Sequence, residues 1–257
     1  MGINIKTPED IEILREGGKR HAFILKKIAK FVAPGVSTKD LDDLAAKLIA
    51  EGGDKAAFLG YKPYGAKRPY PASICVSVND AVVHGIPNEE PYILKTGDIV
   101  TLDLGLDHKG MITDMAVTVP VGKIDAKAKK LLKITKESLD LGIKVVKPGN
   151  TTGHIGEAIE SHVSQYGFGV VEELAGHGVG YSVHEDPYIP NYGKAGEGET
   201  LVSGMVIAIE PIINEGSKKI RLDKDGYTYR TADGLRSAHF EHTVVITDSG
   251  CEILTKI

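Results

Sequence analysis

The chain has 257 residues, 42% of them apolar and 26% charged, with a formal net charge of -4. That length fits one α/β-type domain, the acidic balance argues against a dedicated nucleic-acid binder, and no apolar run is long enough to span a bilayer. Two cysteines, Cys75 and Cys251, make neither a disulfide framework nor a cysteine zinc site, which fits a reducing cytoplasm.

Thr7-Pro8-Glu9-Asp10 combines a cap, a proline at the first helical position and an acidic first turn. It predicts a helix to about Phe31. A second helix starts at Thr38, with Leu41, Leu44, Ala45, Leu48 and Ile49 on one face. Strands are expected at Ser73–Val78, Ile99–Leu106 and Met111–Val119, then helices over Asp125–Val146 and Thr152–Tyr166. Strands at Val206–Ile213, Ser237–Ile246 and Cys251–Leu254 complete the order. KIDAKAKKLLKITK sets six lysines against Ile124, Leu131, Leu132 and Ile134. It reads as a solvated helix face, with a ribosome or RNA contact as the secondary reading.

The chain repeats itself once. VAPGVSTKDLDDLA at Val32 resembles VKPGNTTGHIGEAI at Val146; in both, Pro-Gly ends one helix and a threonine caps the next. TGDIVTLD at Thr96 resembles SGMVIAIE at Ser203, and ITDMAVTV resembles HFEHTVVI. The matches put Glu210 where Asp103 sits and Glu241 where Asp114 sits. A period this long implies one duplication, spanning about 32–120 and 146–247, rather than a solenoid.

TLDLGLDHKGMITD, from Thr101 to Asp114, reads as a hairpin. Folding it about His108-Lys109 sets Asp103 directly opposite Asp114. One face then carries Leu102, Leu104, Leu106, Met111, Thr113 and Met115, and the other carries both aspartates. Opposed like charges destabilise a sheet. A single such pair reads most simply as a solvated hairpin tip, but the repeat brings four carboxylates together: Asp103, Asp114, Glu210 and Glu241. Four unpaired charges in a partly buried sheet are costly, and two divalent ions balance them. Oxygen ligands with one imidazole suit Co, Mn, Fe, Zn or Ni, with two ions sharing a bridging water or hydroxide.

GHGVGYSVHEDP offers His177 and His184. A histidine in a glycine-rich loop is more often structural, but the carboxylate cluster needs a neutral donor, and His177 is the choice. His184 is then an outer or substrate-facing imidazole, and His84 in VVHGIP is a third candidate, balanced against a turn histidine before Pro87. His184-Glu185 is not the helical zinc motif, because position 188 is Tyr188.

SVNDAVVHGIP, GDIVTLDLG, ITDMAVTVPVG, GHGVGYSVHEDP, GMVIAIEPIIN and FEHTVVITDSGCEILT together resemble the type I methionine aminopeptidases of the pita-bread, M24 family, almost end to end. The resemblance implies an α+β fold: a single catalytic domain over residues 1–257, two pseudo-symmetric halves, curved antiparallel sheet inside and helices outside. It implies that Asp103, Asp114, His177, Glu210 and Glu241 hold two metal ions, with Asp114 and Glu241 bridging. It implies that His84 and His184 contact the substrate and that Glu210 also shuttles a proton. Phe58, Tyr61, Tyr70, Cys75 and Tyr227 are the candidates for the methionine pocket. Type II members carry a helical insertion between the His184 and Glu210 positions; only 25 residues lie there.

Three features depart from the family pattern. The stretch from Tyr61 to Ser73 looks several residues longer than usual, Tyr227 stands where tryptophan often occurs, and Val183 stands where an aromatic often does. The implied activity is metal-dependent removal of N-terminal methionine before a small second residue, by an activated hydroxide. Nascent polypeptide N-termini are the expected partners, the expected location is cytoplasmic, and the expected state is a monomer without membrane attachment. Met1-Gly2 itself fits the small-residue rule. The competing readings are an X-Pro dipeptidase or aminopeptidase of the same fold, which usually carries a large extra N-terminal domain, and a binding protein that has lost the metal. Only 102 residues precede Asp103, and all five ligands are present.

Overall fold

The computed structural model describes residues 2–256. Helices α1 (Pro8–Phe31) and α2 (Thr38–Glu51) lead into β1 (Lys55–Ala56), β2 (Cys75–Val78), β3 (Ala81–Val83), β4 (Ile99–His108) and β5 (Met111–Pro120). Helices α3 (Ala126–Lys144) and α4 (Thr152–Val163) open the second half. Then come β6 (Gly169–Val170), β7 (Gly176–Gly178), β8 (Glu185–Ile189), β9 (Val206–Ile209), β10 (Ile212–Asn214), β11 (Ile220–Leu222), β12 (Tyr229–Thr231), β13 (Ser237–His239), β14 (His242–Ile246) and β15 (Cys251–Ile253). No helix among the described residues is long and apolar enough to cross a membrane.

The helices begin where side chains can take up orphan amides. Thr7 and Asp10 form a reciprocal capping box on α1, and Ser37 and Asp40 do the same on α2. Ser37, not Thr38, is the cap; Thr38 is the first helical residue and donates to the Pro87 carbonyl at 2.8 Å. Ser37 corresponds to Thr151 in the repeat, which caps α4. The two halves therefore start their second helices at equivalent positions.

Each half has its own apolar core. Leu25 and Ile28 of α1, Leu41 and Ile49 of α2, and Leu102, Leu104 and Leu106 of β4 form one cluster. Leu131 and Ile134 of α3, Ile155 and Ile159 of α4, and Ile207 and Ile209 of β9 form the other. Burying each such side chain contributes about 1.5–3 kcal/mol.

All strand pairs are antiparallel. β4 pairs with β1, β2 and β5, and a second sheet runs β15-β14-β9-β7-β8. Two short sheets, β13-β10-β6 and β11-β12-β3, flank them. The first hairpin differs in register from the sequence expectation. Its two-residue turn is Lys109-Gly110, with φ of 53° and 86° at the two positions, as a type I′ turn requires. The pairing is Asp103 with Ala116 and Gly105 with Asp114, so the two aspartates lie diagonally and not directly opposite. Moving the turn by one residue shifts the register by two, which keeps both aspartates on one face.

The second hairpin is interrupted at its centre. Val206–Ile213 and Ser237–Ile246 are each expected as one strand, and each is broken, at Glu210-Pro211 and Phe240-Glu241. The register is the same on both sides of the gap, with Ile209 opposite His242 and Ile212 opposite His239. Pro211 has no N–H to give, and Glu241 donates its own to the Ala116 carbonyl of β5 at 3.0 Å. Two threonines close the seam between the hairpins. Thr243 Oγ1 accepts from the Asp114 N–H at 2.8 Å and donates to its carbonyl at 2.7 Å. Thr118 Oγ1 does the same for His239, at 2.9 and 2.7 Å.

Helix α1 crosses this structure closely. A Cβ on Gly18 would lie 2.3 Å from the Leu254 carbonyl oxygen, with backbone on both sides. In an exposed helix, glycine to alanine gains about 1 kcal/mol; a backbone clash costs about 1–3 kcal/mol. Gly18→Ala is therefore expected to destabilise the protein, lowering the midpoint of urea unfolding; an unchanged or raised midpoint would contradict the packing.

Candidate metal centre

The broken strands aim their carboxylates into one cavity. Its walls include Asp103 on β4, Asp114 on β5, His177 on β7, and Glu210 and Glu241 from the two interruptions, with His84 and His184 beside them. Every residue expected at the site lines this cavity, including Phe58, Tyr61, Tyr70, Cys75 and Tyr227. Among the described residues, no lysine or arginine lines it.

Asp114, His177 and Glu241, all buried, bring one ligand atom each within 4.8 Å of one another. His177 Nε2 lies 3.9 Å from Asp114 Oδ2 and 3.7 Å from Glu210 Oε1. Burial pushes Asp103 up to about 7. Asp114 is held well above the carboxylate range by burial and by the charge of Asp103. Burial and neighbouring aspartates do the same to Glu210 and Glu241.

His177 Nδ1 is 2.9 Å from the Gly178 carbonyl and must donate to it. Nε2 then presents a bare lone pair to two carboxylates. A lone pair facing carboxyl oxygens needs either a proton held on one of them or a cation lying between them. Asp114 Oδ1 is also buried with no hydrogen-bond partner. The donor set therefore fits hard-to-intermediate divalent ions.

Three supports hold the surrounding residues. His84 sits at φ 57°, an uncommon conformation for a side-chain-bearing residue and one found often at functional sites. His184 Nδ1 is 2.9 Å from the Tyr61 hydroxyl, and its ring centre is 4.5 Å from that of His177. Glu185, the next residue, accepts from Lys6 at 2.6 Å, Asn4 at 2.7 Å and the Tyr181 and Ser182 amides at 2.5 and 2.9 Å. Lys6 and Glu185 side chains are almost wholly buried, so the N-terminal segment props the loop that carries His184.

The apolar side of the cavity is a packed cluster of Phe58, Tyr70, Cys75, Val183 and Tyr227, with Tyr61 against it. Tyr70 and Tyr227 meet edge to face at 5.2 Å, and Tyr70 donates to the Gly85 carbonyl at 2.8 Å. Gly105 makes room for Phe58, whose ring would lie 2.6 Å from any Cβ there. One residue at the centre is absent from the sequence expectation. His239 is 2% exposed, and its Nε2 lies 3.4 Å from Glu210 Oε2 and 3.8 Å from Glu241 Oε2. Its signal was its place two residues before Glu241, on the same strand face.

The sequence profile of the metallopeptidase family M24 matches residues 12–248. Methionine aminopeptidase 1 of Bacillus subtilis is 44% identical over 252 residues, covering 98% of each chain. The crystal structure of methionine aminopeptidase from Thermotoga maritima superposes with a TM-score of 0.94 at 43% identity, covering all of both chains. A prolidase from Pyrococcus horikoshii shares the fold, with a TM-score of 0.75 at 23% identity over 98% of this chain and 63% of that one. The chain belongs to metallopeptidase family M24 and has its pita-bread fold.

The raised carboxyls make a prediction for the metal-stripped protein. Carboxylates of the unfolded chain ionise near 4, so above that pH the native state holds protons that the unfolded state has released. Stability then falls as pH rises through the folded values. His177 and His239, held near 3 by burial, act in the opposite sense below about pH 6.5 and are neutral in both states above it. The urea midpoint of stripped protein is expected to fall between about pH 6.5 and 8. Saturating divalent metal should reverse the fall and release protons to the buffer. A midpoint indifferent to pH in that window would contradict the clustering.

Proposed function

We propose that this protein is a methionine aminopeptidase that removes the N-terminal methionine of nascent chains and peptides with a small second residue, using two divalent ions held by Asp103, Asp114, His177, Glu210 and Glu241. The observation that carries this reading is the bare Nε2 of His177 facing the clustered carboxylates, next to a soft apolar cavity. The strong matches to methionine aminopeptidases support it across the whole chain.

Bound there, the ions supply Lewis-acid polarisation and lower the pKa of a water. The rest falls to the protein. Phe58, Tyr61, Tyr70, Cys75 and Tyr227 enclose an unbranched thioether, and the Cys75 thiol, pushed well up by burial, stays uncharged. Tyr61 occupies Nδ1 of His184 and leaves Nε2 for the oxygen that gains charge at the scissile carbonyl. His84, held near 4 and neutral, serves as hydrogen-bonding partner of the scissile amide. Glu210, on the wall of the same cavity, carries the proton from water to the leaving amine. The two separate cores, one per half, support descent of residues 32–120 and 146–247 from one duplication within a single catalytic domain. The reading implies a cytoplasmic monomer acting on nascent polypeptide N-termini, with a ribosome contact as the secondary reading of the lysine-rich α3. The ions are two of Co, Mn, Fe, Zn or Ni. Met1, whose own removal the Met1-Gly2 start implies, lies outside the described residues.

Chelator-stripped protein is expected to release methionine from Met-Ala-Ser when a divalent metal is restored, and to leave Ala-Pro intact. Cleavage of Ala-Pro alone would transfer the protein to the X-Pro peptidases, and no cleavage with any metal would sink the enzymatic reading. His184→Ala should lower kcat by about 100-fold or more with metal still bound. Asp114→Ala should lose both metal and activity, as measured by metal analysis of the purified variants.

A further inference from the structure

His239 has no role in the scheme above, yet it is 2% exposed and lines the cavity beside Glu210 and Glu241. Both of its ring nitrogens are buried without a hydrogen-bond partner. Its backbone is tied at both N–H and carbonyl to the Thr118 hydroxyl, which fixes where its Cα stands in the cavity wall. Nε2 points at the oxygen of Glu210 that His177 does not face: Oε2 at 3.4 Å, against Oε1 at 3.7 Å from His177. Glu241 Oε2 is 3.8 Å away.

The proton on this ring can be placed by elimination. With Glu210 and Glu241 ionised, as metal ligands must be, a bare Nε2 would set a lone pair against two carboxylate oxygens. A proton on Nδ1 would be a buried donor with no acceptor, which costs about 1–3 kcal/mol. Both sides therefore favour the tautomer with hydrogen on Nε2, the reverse of His177. The two imidazoles thus treat the two oxygens of one carboxylate differently. His177 turns a lone pair towards Oε1, and His239 turns an N–H towards Oε2.

We propose that His239 is a positioning residue that donates its Nε2–H to Glu210, fixing the carboxylate so that Oε1 faces the His177 side of the site. The inference rests on the metallopeptidase reading, because it assigns Oε1 to the metal. Hydrogen-bond partners of this kind sort ligand oxygens and set ligand orientation.

The test compares His239→Leu, which removes the donor, with His239→Gln, whose amide N–H has similar reach. His239→Asn, whose amide is too short to reach Glu210, stands in if the leucine variant does not fold. Each stripped protein is titrated with cobalt(II) by calorimetry and visible spectroscopy, and kcat and KM are measured on Met-Ala-Ser. Leucine and asparagine variants should bind the wild-type number of cobalt ions about 10–100-fold more weakly, with a changed visible band. Their kcat should fall while KM moves little, and glutamine should restore affinity and band to within a few-fold. Wild-type affinity and spectrum in the leucine or asparagine variant would overturn the proposal. Loss of one cobalt equivalent in both the leucine and glutamine variants would also overturn it, since His239 would then be a ligand itself. Wild-type protein that binds cobalt but releases no methionine would instead overturn the peptidase assignment, and the calorimetric comparison would still decide His239.

Discussion

Asp103, Asp114, Glu210 and Glu241 converge where the two halves meet, and no lysine or arginine among the described residues reaches them. Burial raises all four carboxyls, and repulsion from neighbouring carboxylates adds to it at Asp114, Glu210 and Glu241. A protein selected for stability alone would place leucines there. The rest of the architecture can be read as accommodation of this unfavourable cluster. Separate cores, one beneath α1 and α2 and one beneath α3 and α4, anchor each hairpin from behind. The stability needed to hold the charges together comes from apolar surface remote from them.

The seam shows how the backbone adapts. A regular ladder from β5 to β13 and β14 would leave no room for acidic side chains to turn inward. Thr118 and Thr243 instead satisfy the amides and carbonyls of His239 and Asp114 through their hydroxyls. The strands break at Glu210-Pro211 and at Phe240-Glu241, where two of the clustered carboxylates sit. His84 holds a left-handed backbone next to the same cavity. Local irregularity is concentrated at the site, and the helices and cores are regular.

Much of this was legible in the sequence because it depends on parity or on spacing. Alternation places Asp103 and Asp114 on one face whatever the exact turn. The Lys109-Gly110 turn moved the register by two residues and left that conclusion intact. The repeat located Glu210 and Glu241, and the candidates from Phe58 to Glu241 line one cavity. What could not be read was set by long-range contact. Ser37 rather than Thr38 caps α2 because Thr38 is drawn to the Pro87 carbonyl. Short strands such as β3, β7 and β12 have too few residues to show a period. His239 shares a strand face with Glu241 by parity, but alternation alone gave no reason to single it out from the other polar strand residues.

The close crossing of α1 has a consequence for the order of events during synthesis. Helix α1 is capped and amphipathic from its first turn, so nothing local delays its formation. Its seat, however, includes the Leu254 carbonyl against Gly18 and the pairing of Arg15 with Glu252, 237 positions later. Lys6 likewise waits for Glu185. The C-terminal part of α1, with Leu25 and Ile28, can pack on α2 and β4 once the first half is made, but its N-terminal part, with Leu14 and Gly18, waits for β9, β14 and Leu254. A fully seated N-terminal end of α1 therefore certifies that the chain has been completed through β15, and a truncated chain would carry Leu14 exposed and Arg15 unpaired with Glu252, a local handle for chaperones and proteases.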